Sequence, residues 1–161
     1  MKRSTVQGDC TGQKLSVTET ALQNGAQLTS AAGHAASSGS AHKMEEYFKA
    51  SHDQTRQTRQ TVAGVFSRVE QECGSTTSGV ANYCCTDVGN DCSVNVLAYT
   101  VPSRSYMVCC DLYFSDLSPV TTSCHAQDQA TTNRHIQGPS RPVSTTHACW
   151  FQRQSTQPNQ H

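Results

Sequence analysis

Histidine, cysteine and carboxylate side chains are where this chain could do chemistry, and their spacing limits what that chemistry is. A hydrolytic zinc centre on a helix needs two histidines at i and i+4, so that both face one side. It also needs a glutamate beside the first to take a proton from the metal-bound water. His135 is followed by Ile136, Gln137, Gly138 and Pro139. Isoleucine takes no proton. Proline brings no ligand at the i+4 position, and its ring disrupts the helix that would present one. With Arg134 beside it and no acidic residue anywhere after Asp128, His135 by itself reads as an exposed histidine. His125 and Asp128 stand at i, i+3 and read as a surface pair. His147 and Cys149 offer two donors, too few for tight metal binding. Asp111, Asp116 and Asp128 would form a carboxylate pair only if the fold happened to bring them together. The chain has no Gly-x-Ser-x-Gly elbow and no cysteine in a recognisable nucleophile context. No catalytic residue is assigned.

The frame that must hold any such group is small. The chain has 161 residues, of which 35% are hydrophobic and 6% aromatic. That length suits one domain with a modest core. Nine cysteines compensate, because disulfides constrain the unfolded chain. No Cys-x-x-Cys pair and no zinc-finger spacing occurs, so a disulfide framework in an oxidising compartment is the expectation. Nine is odd, so at least one thiol is left over or pairs with another chain. Twelve basic and twelve acidic residues give a net charge of zero, with no basic stripe, which argues against nucleic acid and anionic membranes as partners. No apolar run approaches the ~20 residues of a membrane helix. Met1 leads into polar sequence rather than a signal peptide. Lys2-Arg3 reads as a dibasic processing site, so residues 1–4 are expected to be the remnant of a propeptide and the chain the product of a zymogen.

Residues 12–36 carry apolar positions at helical spacing and predict a long helix with a shallow apolar face, broken by Ser37-Ser38-Gly39-Ser40. A short helix is predicted over 42–50. Ser51-His52-Asp53-Gln54 has the form of a capping box. The helix it opens is predicted to run to Cys73, with Gly74 stopping it and Val62, Val65, Phe66 and Val69 as its core stripe. Thr55-Arg56-Gln57 is repeated as Thr58-Arg59-Gln60. If the repeat is an insertion, three residues rotate everything upstream by about 300°, and the helix must start later or repack. Residues 94–101 and 106–114 predict two β-strands. A further helix is predicted from about Cys124. The segment beyond Ile136 has three prolines and five glutamines with no helical or strand period, and is expected to be unstructured.

Several motifs occur together and in order. They are Asp9-Cys10-Thr11-Gly12, Glu45-Glu46-Tyr47-Phe48-Lys49, Asn95 to Thr100, Cys110-Asp111-Leu112-Tyr113-Phe114, and Cys124-His125-Ala126-Gln127-Asp128-Gln129-Ala130-Thr131-Thr132. In this the chain resembles the deuterolysin-like fungal neutral metalloproteases of the aspzincin group over about residues 5–132. The resemblance implies an α+β, zincin-like fold: N-terminal helices, a small antiparallel sheet over 80–114, and a truncated active-site helix. It implies domains at 5–136 (an incomplete protease body) and 137–161 (a divergent tail). It implies that Cys10 pairs with Cys85 and Cys92 with Cys110. It leaves Cys124 without its usual partner, with Cys149 the remaining candidate, and makes Cys73, Cys84 and Cys109 additional. A Cys73–Cys84 bridge remains open.

By the same resemblance the activity would be that of a secreted, extracellular zinc metalloendopeptidase, acting on protein or peptide substrates as a monomer. His135 falls at the first zinc-ligand position and is the sole ligand position to survive. Ile136 stands for the general-base glutamate and Pro139 for the second histidine. No Gly-Thr-x-Asp segment follows to supply the third ligand. Zinc is therefore the family's cofactor and is not expected on this chain, which reads as catalytically incompetent. The alternative is a non-catalytic, secreted, disulfide-stabilised binding protein derived from the protease fold. The abrupt change at Thr132–Asn133 suggests an out-of-frame or mis-spliced tail. Loss of covering helices predicts exposed apolar surface over 124–136.

Overall fold

Small residues decide how the first helix packs. α1 (Gly12–Ser38) buries Thr18, Ala21, Leu22, Gly25, Thr29, Ala32, Ala35 and Ala36 along one face. Alanine, glycine and threonine let a second helix approach closely. The two buried threonines do not leave a hydroxyl stranded: Thr18 Oγ1 donates to Lys14 O at 2.8 Å and Thr29 Oγ1 to Gly25 O at 2.7 Å, the usual i−4 solution inside a helix. The computed structural model describes residues 5–49, 55–74, 79–121 and 126–132. Lys2, Arg3, the 51–54 capping box, Cys124, His125, His135, Cys149 and the remainder of the C-terminal segment lie outside the described residues.

α2 (Ala41–Phe48) ends where Lys49 turns left-handed, φ 52°. α3 (Thr55–Cys73) runs unbroken through the repeated Thr-Arg-Gln unit and buries Phe66, Val69 and Cys73. Phe66 packs against Ala32, Ala35 and Ala36, with Val62 and Ala63 beside it. The repeat neither delays the helix nor breaks it, because its residues stay at the surface while one of them is put to use. Arg59 donates to Ala36 O at 2.9 Å and Gly39 O at 2.6 Å, so a cation caps carbonyls at the C-terminal end of α1.

The chain then forms a four-stranded sheet from β1 (Thr5–Val6), β2 (Asn82–Cys84), β3 (Ala98–Val101) and β4 (Tyr106–Cys109), in the order β1-β2-β4-β3. β1 and β2 are parallel, β2 and β4 are parallel, and β3 and β4 are antiparallel. The α+β class holds, but the sheet is mixed rather than antiparallel and includes residues before α1. The long crossover through α1–α3 is the kind of connection that a parallel β1–β2 pair needs. Only the tight Pro102–Arg104 turn allows an antiparallel pair. Tyr83 and Ala81 pack with Leu22, Val69 and Cys73, joining sheet to helices.

Two predicted strands are shorter than the sequence suggested. Residues 94–97 stay out of the sheet, and Val94 is 89% exposed. The loop before β3 is instead organised by Asp87, whose carboxylate accepts from the Tyr99 hydroxyl at 2.7 Å and from the Asp91 and Cys92 N–H groups. After Cys109 the predicted strand becomes a helix, α4 (Asp111–Asp116). Asp111 suits its first turn, and the turn swings Tyr113 inward onto Ala21 and Cys109.

The structure joins Cys10 to Cys85 and Cys92 to Cys110, the pairs the resemblance implies. It does not join Cys73 to Cys84: both are buried thiols, as is Cys109. Cys73 ends α3 with its sulfur against Gly25 of α1, whereas Cys84 lies in β2 beside Asp9.

Burial pushes the Cys109 thiol up to about 12 and the Cys84 thiol up to about 11, from an ordinary value of about 8.5. Both bind their proton more tightly folded than unfolded. Their contribution to stability is complete below about pH 8.5 and is lost as pH rises through the folded values. The urea midpoint is expected to fall progressively above about pH 9, and less steeply in Cys109→Ala. A midpoint flat to about pH 11 would show that these thiols are not buried.

Candidate functional site

The residues nearest the proposed ligand position are those of the turn that precedes it. Residues 129–132 are helical, so the helix starts at Gln129 rather than near Cys124. Asp128 explains the onset. It is fully buried, and its carboxylate is committed to backbone and hydroxyl donors. Oδ1 accepts from the Thr131 N–H at 2.7 Å and from the Thr131 hydroxyl at 2.7 Å. Oδ2 accepts from the Thr121 N–H at 2.7 Å. In return the Thr131 hydroxyl oxygen accepts from the Asp128 N–H at 3.1 Å. This is a capping box in its Asp-x-x-Thr form. The Asp128 carbonyl also accepts from the Thr132 hydroxyl at 2.7 Å and N–H at 3.0 Å.

The turn is held to the rest of the protein on two further sides. The Gln129 N–H donates to Ser118 O at 3.0 Å, and its side-chain amide donates to Tyr113 O at 3.3 Å. The Tyr113 hydroxyl donates to Gln129 O at 3.4 Å. On the α1 side the Ala130 carbonyl oxygen lies 3.7 Å, and the Cys73 sulfur 3.4 Å, from where a Cβ on Gly25 would stand. Glycine here lets α1, α3 and the turn converge.

This geometry corrects two expectations. Asp128 is not half of a surface pair; it is interior. The described part of the 124–136 segment does not present exposed apolar surface beyond the loop residues, since 128–132 are buried. The three aspartates weighed as a carboxylate pair serve separate local purposes. Asp111 pairs with Lys14 at 2.6 Å in an exposed bridge, worth at most about 1 kcal/mol. Asp116 accepts from the Ser115 hydroxyl at 2.6 Å, and Asp128 caps. Among the described residues no group of three or more His, Cys, Asp or Glu could hold a metal. What the described residues build here is a rigid start to a helix. The cap had a signal in the sequence, an Asp three residues before a Thr at a helix start. The Tyr113–Gln129 pair, 16 residues apart, had none.

The deuterolysin metalloprotease (M35) pattern matches residues 1–146. This chain belongs to that family. Its similarity to fungal proteases is high. It is 46% identical over 145 residues to a neutral protease 2 homolog of Colletotrichum graminicola, covering 90% of this chain and 40% of that protein. It is 48% identical over 135 residues to a neutral protease 2 homolog of Aspergillus flavus, covering 84% of this chain and 46% of that protein. It is likewise 48% identical over 135 residues to neutral protease 2 of Aspergillus oryzae, covering 84% and 38%. The chain thus spans less than half the length of these deuterolysin relatives. No helix among the described residues is long and apolar enough to cross a membrane.

Asp128→Ala should cost about 2–4 kcal/mol in urea unfolding, because it removes a helix cap, including the acceptor of the buried Thr131 N–H and that of the part-buried Thr121 N–H. Asp128→Asn, which keeps one acceptor oxygen, should cost less. A loss below about 0.5 kcal/mol for the alanine variant would show that the cap carries no weight.

Proposed function

We propose that this chain is the body of a secreted zinc metalloendopeptidase of the deuterolysin kind, acting on protein or peptide substrates, and that its own residues do not complete a hydrolytic centre. The observation that carries the reading is the contrast on either side of Thr132. Up to that residue the helix start is capped, buried and pinned to α1 and α4. After it, His135 is followed by Ile136 and Pro139, with no carboxylate beyond.

Zinc in such a site would supply a water acidic enough to attack at neutral pH. Holding it takes three protein donors, and using it takes a base. The donor set here is one imidazole, so the residues do not fit the metal, and no step is routed through it. Extracellular location accords with the two disulfides, and the Lys2-Arg3 pair accords with release from a longer precursor. The reading takes residues 5–136 as the protease body, with His135 its one remaining ligand position.

Equilibrium dialysis of the purified chain against micromolar zinc should find no tightly held equivalent. Casein incubated with chain and zinc should show no cleavage that a chelator abolishes. One tightly bound zinc per chain, together with chelator-sensitive cleavage, would overturn the proposal.

A further inference from the structure

We propose that the Cys10–Cys85 disulfide exchanges with the neighbouring Cys109 thiol, giving this chain a second covalent form in which Cys85 is joined to Cys109 and Cys10 is released as a thiol. The register of the sheet motivates it. β2 and β4 run parallel with Tyr83 opposite Met107 and Cys84 opposite Val108 as the last rung, and Cys85 and Cys109 are the residues that follow that rung on each strand. Neighbouring strands lie about 4.8 Å apart at a rung, and a disulfide spans ~4.4–6.8 Å between Cα atoms. Contacts with α1 place both cysteines on the helix side of the sheet. The Thr18 hydroxyl is 3.5 Å from Cys85 Sγ. Ala21, one turn further along the same helix face, packs on Cys109.

Among the described residues, the other two thiols are placed differently. Cys84 is opposite Val108 and so on the other face of the sheet, and Cys73 lies against Gly25. Cys10, Cys85 and Cys109 are all buried, so the exchange is internal and needs no outside thiol.

The step balances without an oxidant. Cys109 gives its proton to solvent base, and the thiolate attacks Cys85 Sγ. The Cys85–Cys109 bond forms as the Cys10–Cys85 bond breaks, and the electron pair leaves on Cys10 Sγ, which takes up a proton. Ala21 of α1 and Tyr113 of α4 pack on Cys109, Lys14 of α1 and Tyr83 of β2 act on it electrostatically, and Cys84 does so from the other face of the sheet. Lys14 favours the thiolate, while burial and Cys84 oppose it, burial most. Exchange is therefore slow at neutral pH and faster in mild alkali. Its structural effect is to move a crosslink from the start of α1 into the sheet. β1 and the α1 N-terminus are then held without a covalent link, by the packing of Val6, by the Lys14–Asp111 pair and by hydrogen bonds that include Gln7 N–H to Tyr83 O at 2.8 Å and the Cys85 and Thr86 N–H groups to Asp9 Oδ2 at 2.9 Å.

The test is disulfide mapping of the native chain after incubation for about a day near pH 8.5, quenched with acid and alkylated. Fragmentation must separate Cys84 from Cys85 and Cys109 from Cys110. A Cys85–Cys109 peptide with alkylated Cys10 is expected, rising to a plateau and lost to background in Cys109→Ser. A chain in which Cys85 stays joined to Cys10 throughout overturns the proposal. A second variant guards against a folding defect in the first. In Cys10→Ser, oxidised dithiothreitol should join Cys85 to Cys109. Cys85 found free, or joined to any other cysteine, also overturns it.

Discussion

The covalent link between Cys10 and Cys85 is the constraint on which the rest of this fold leans. It ties residues 75 apart in sequence, the start of α1 and the end of β2, and so closes the crossover that carries α1, α2 and α3. Closing a loop of that length removes about 4 kcal/mol of entropy from the unfolded chain on the chain-entropy account. That is a large share of a marginal total, in a chain whose interior is built from alanine, threonine and cysteine rather than from large apolar side chains. Asp9 adds to it locally, with one carboxylate oxygen accepting from the Cys85 and Thr86 N–H groups and the Thr86 hydroxyl. With the ends of the crossover tied together, β1 lies parallel beside β2, and β2 offers its other edge to β4.

The same economy appears wherever elements meet. α1 and α3 approach through Ala32, Ala35, Ala36 and Gly25, where bulk would keep them apart. Arg59 spends its guanidinium on α1 carbonyls rather than on an acidic partner. Asp128 spends both carboxylate oxygens on N–H groups. Polar side chains here do what apolar ones do in larger domains: they fix where one element ends and the next begins. That use of polar groups leaves the described interior without a cluster of donors pointing at a common centre.

On the proposed reading, the protease body and the protease chemistry separate in this chain. The helix start through Thr132 is capped, buried and held to α4 by the tyrosine–glutamine pair, while one imidazole is the ligand position that the proposal leaves. Scaffold and reacting groups are set by different residues, so either can persist without the other.

Much of the architecture was legible in residues taken alone. The long helix from Gly12, the stop at Gly74, the core stripe through Phe66 and Val69, and a break within Ser37–Ser40 follow from helical period and from where glycine and serine fall, although α1 runs on through Ser38. The gap in the zinc motif is legible only through the family resemblance, which sets Ile136 where a base is expected and Pro139 where a ligand is. The misread parts share a cause. Tyr106 to Phe114 looked like one strand because apolar and β-branched residues cannot say where a chain must turn; Asp111 and the inward swing of Tyr113 settle it only when α1 is present to receive the ring. Val94 to Leu97 looked like strand, yet the Asp87 loop claims that stretch. Asp128 looked like a surface carboxylate, because its donors come from Thr121 and Thr131 in a tertiary setting. Chain-local propensity and the chemistry a side chain can perform are thus written in the sequence. Strand direction, which cysteines stay unjoined, and which carboxylate is buried depend on contacts between distant residues, and only the folded chain decides them.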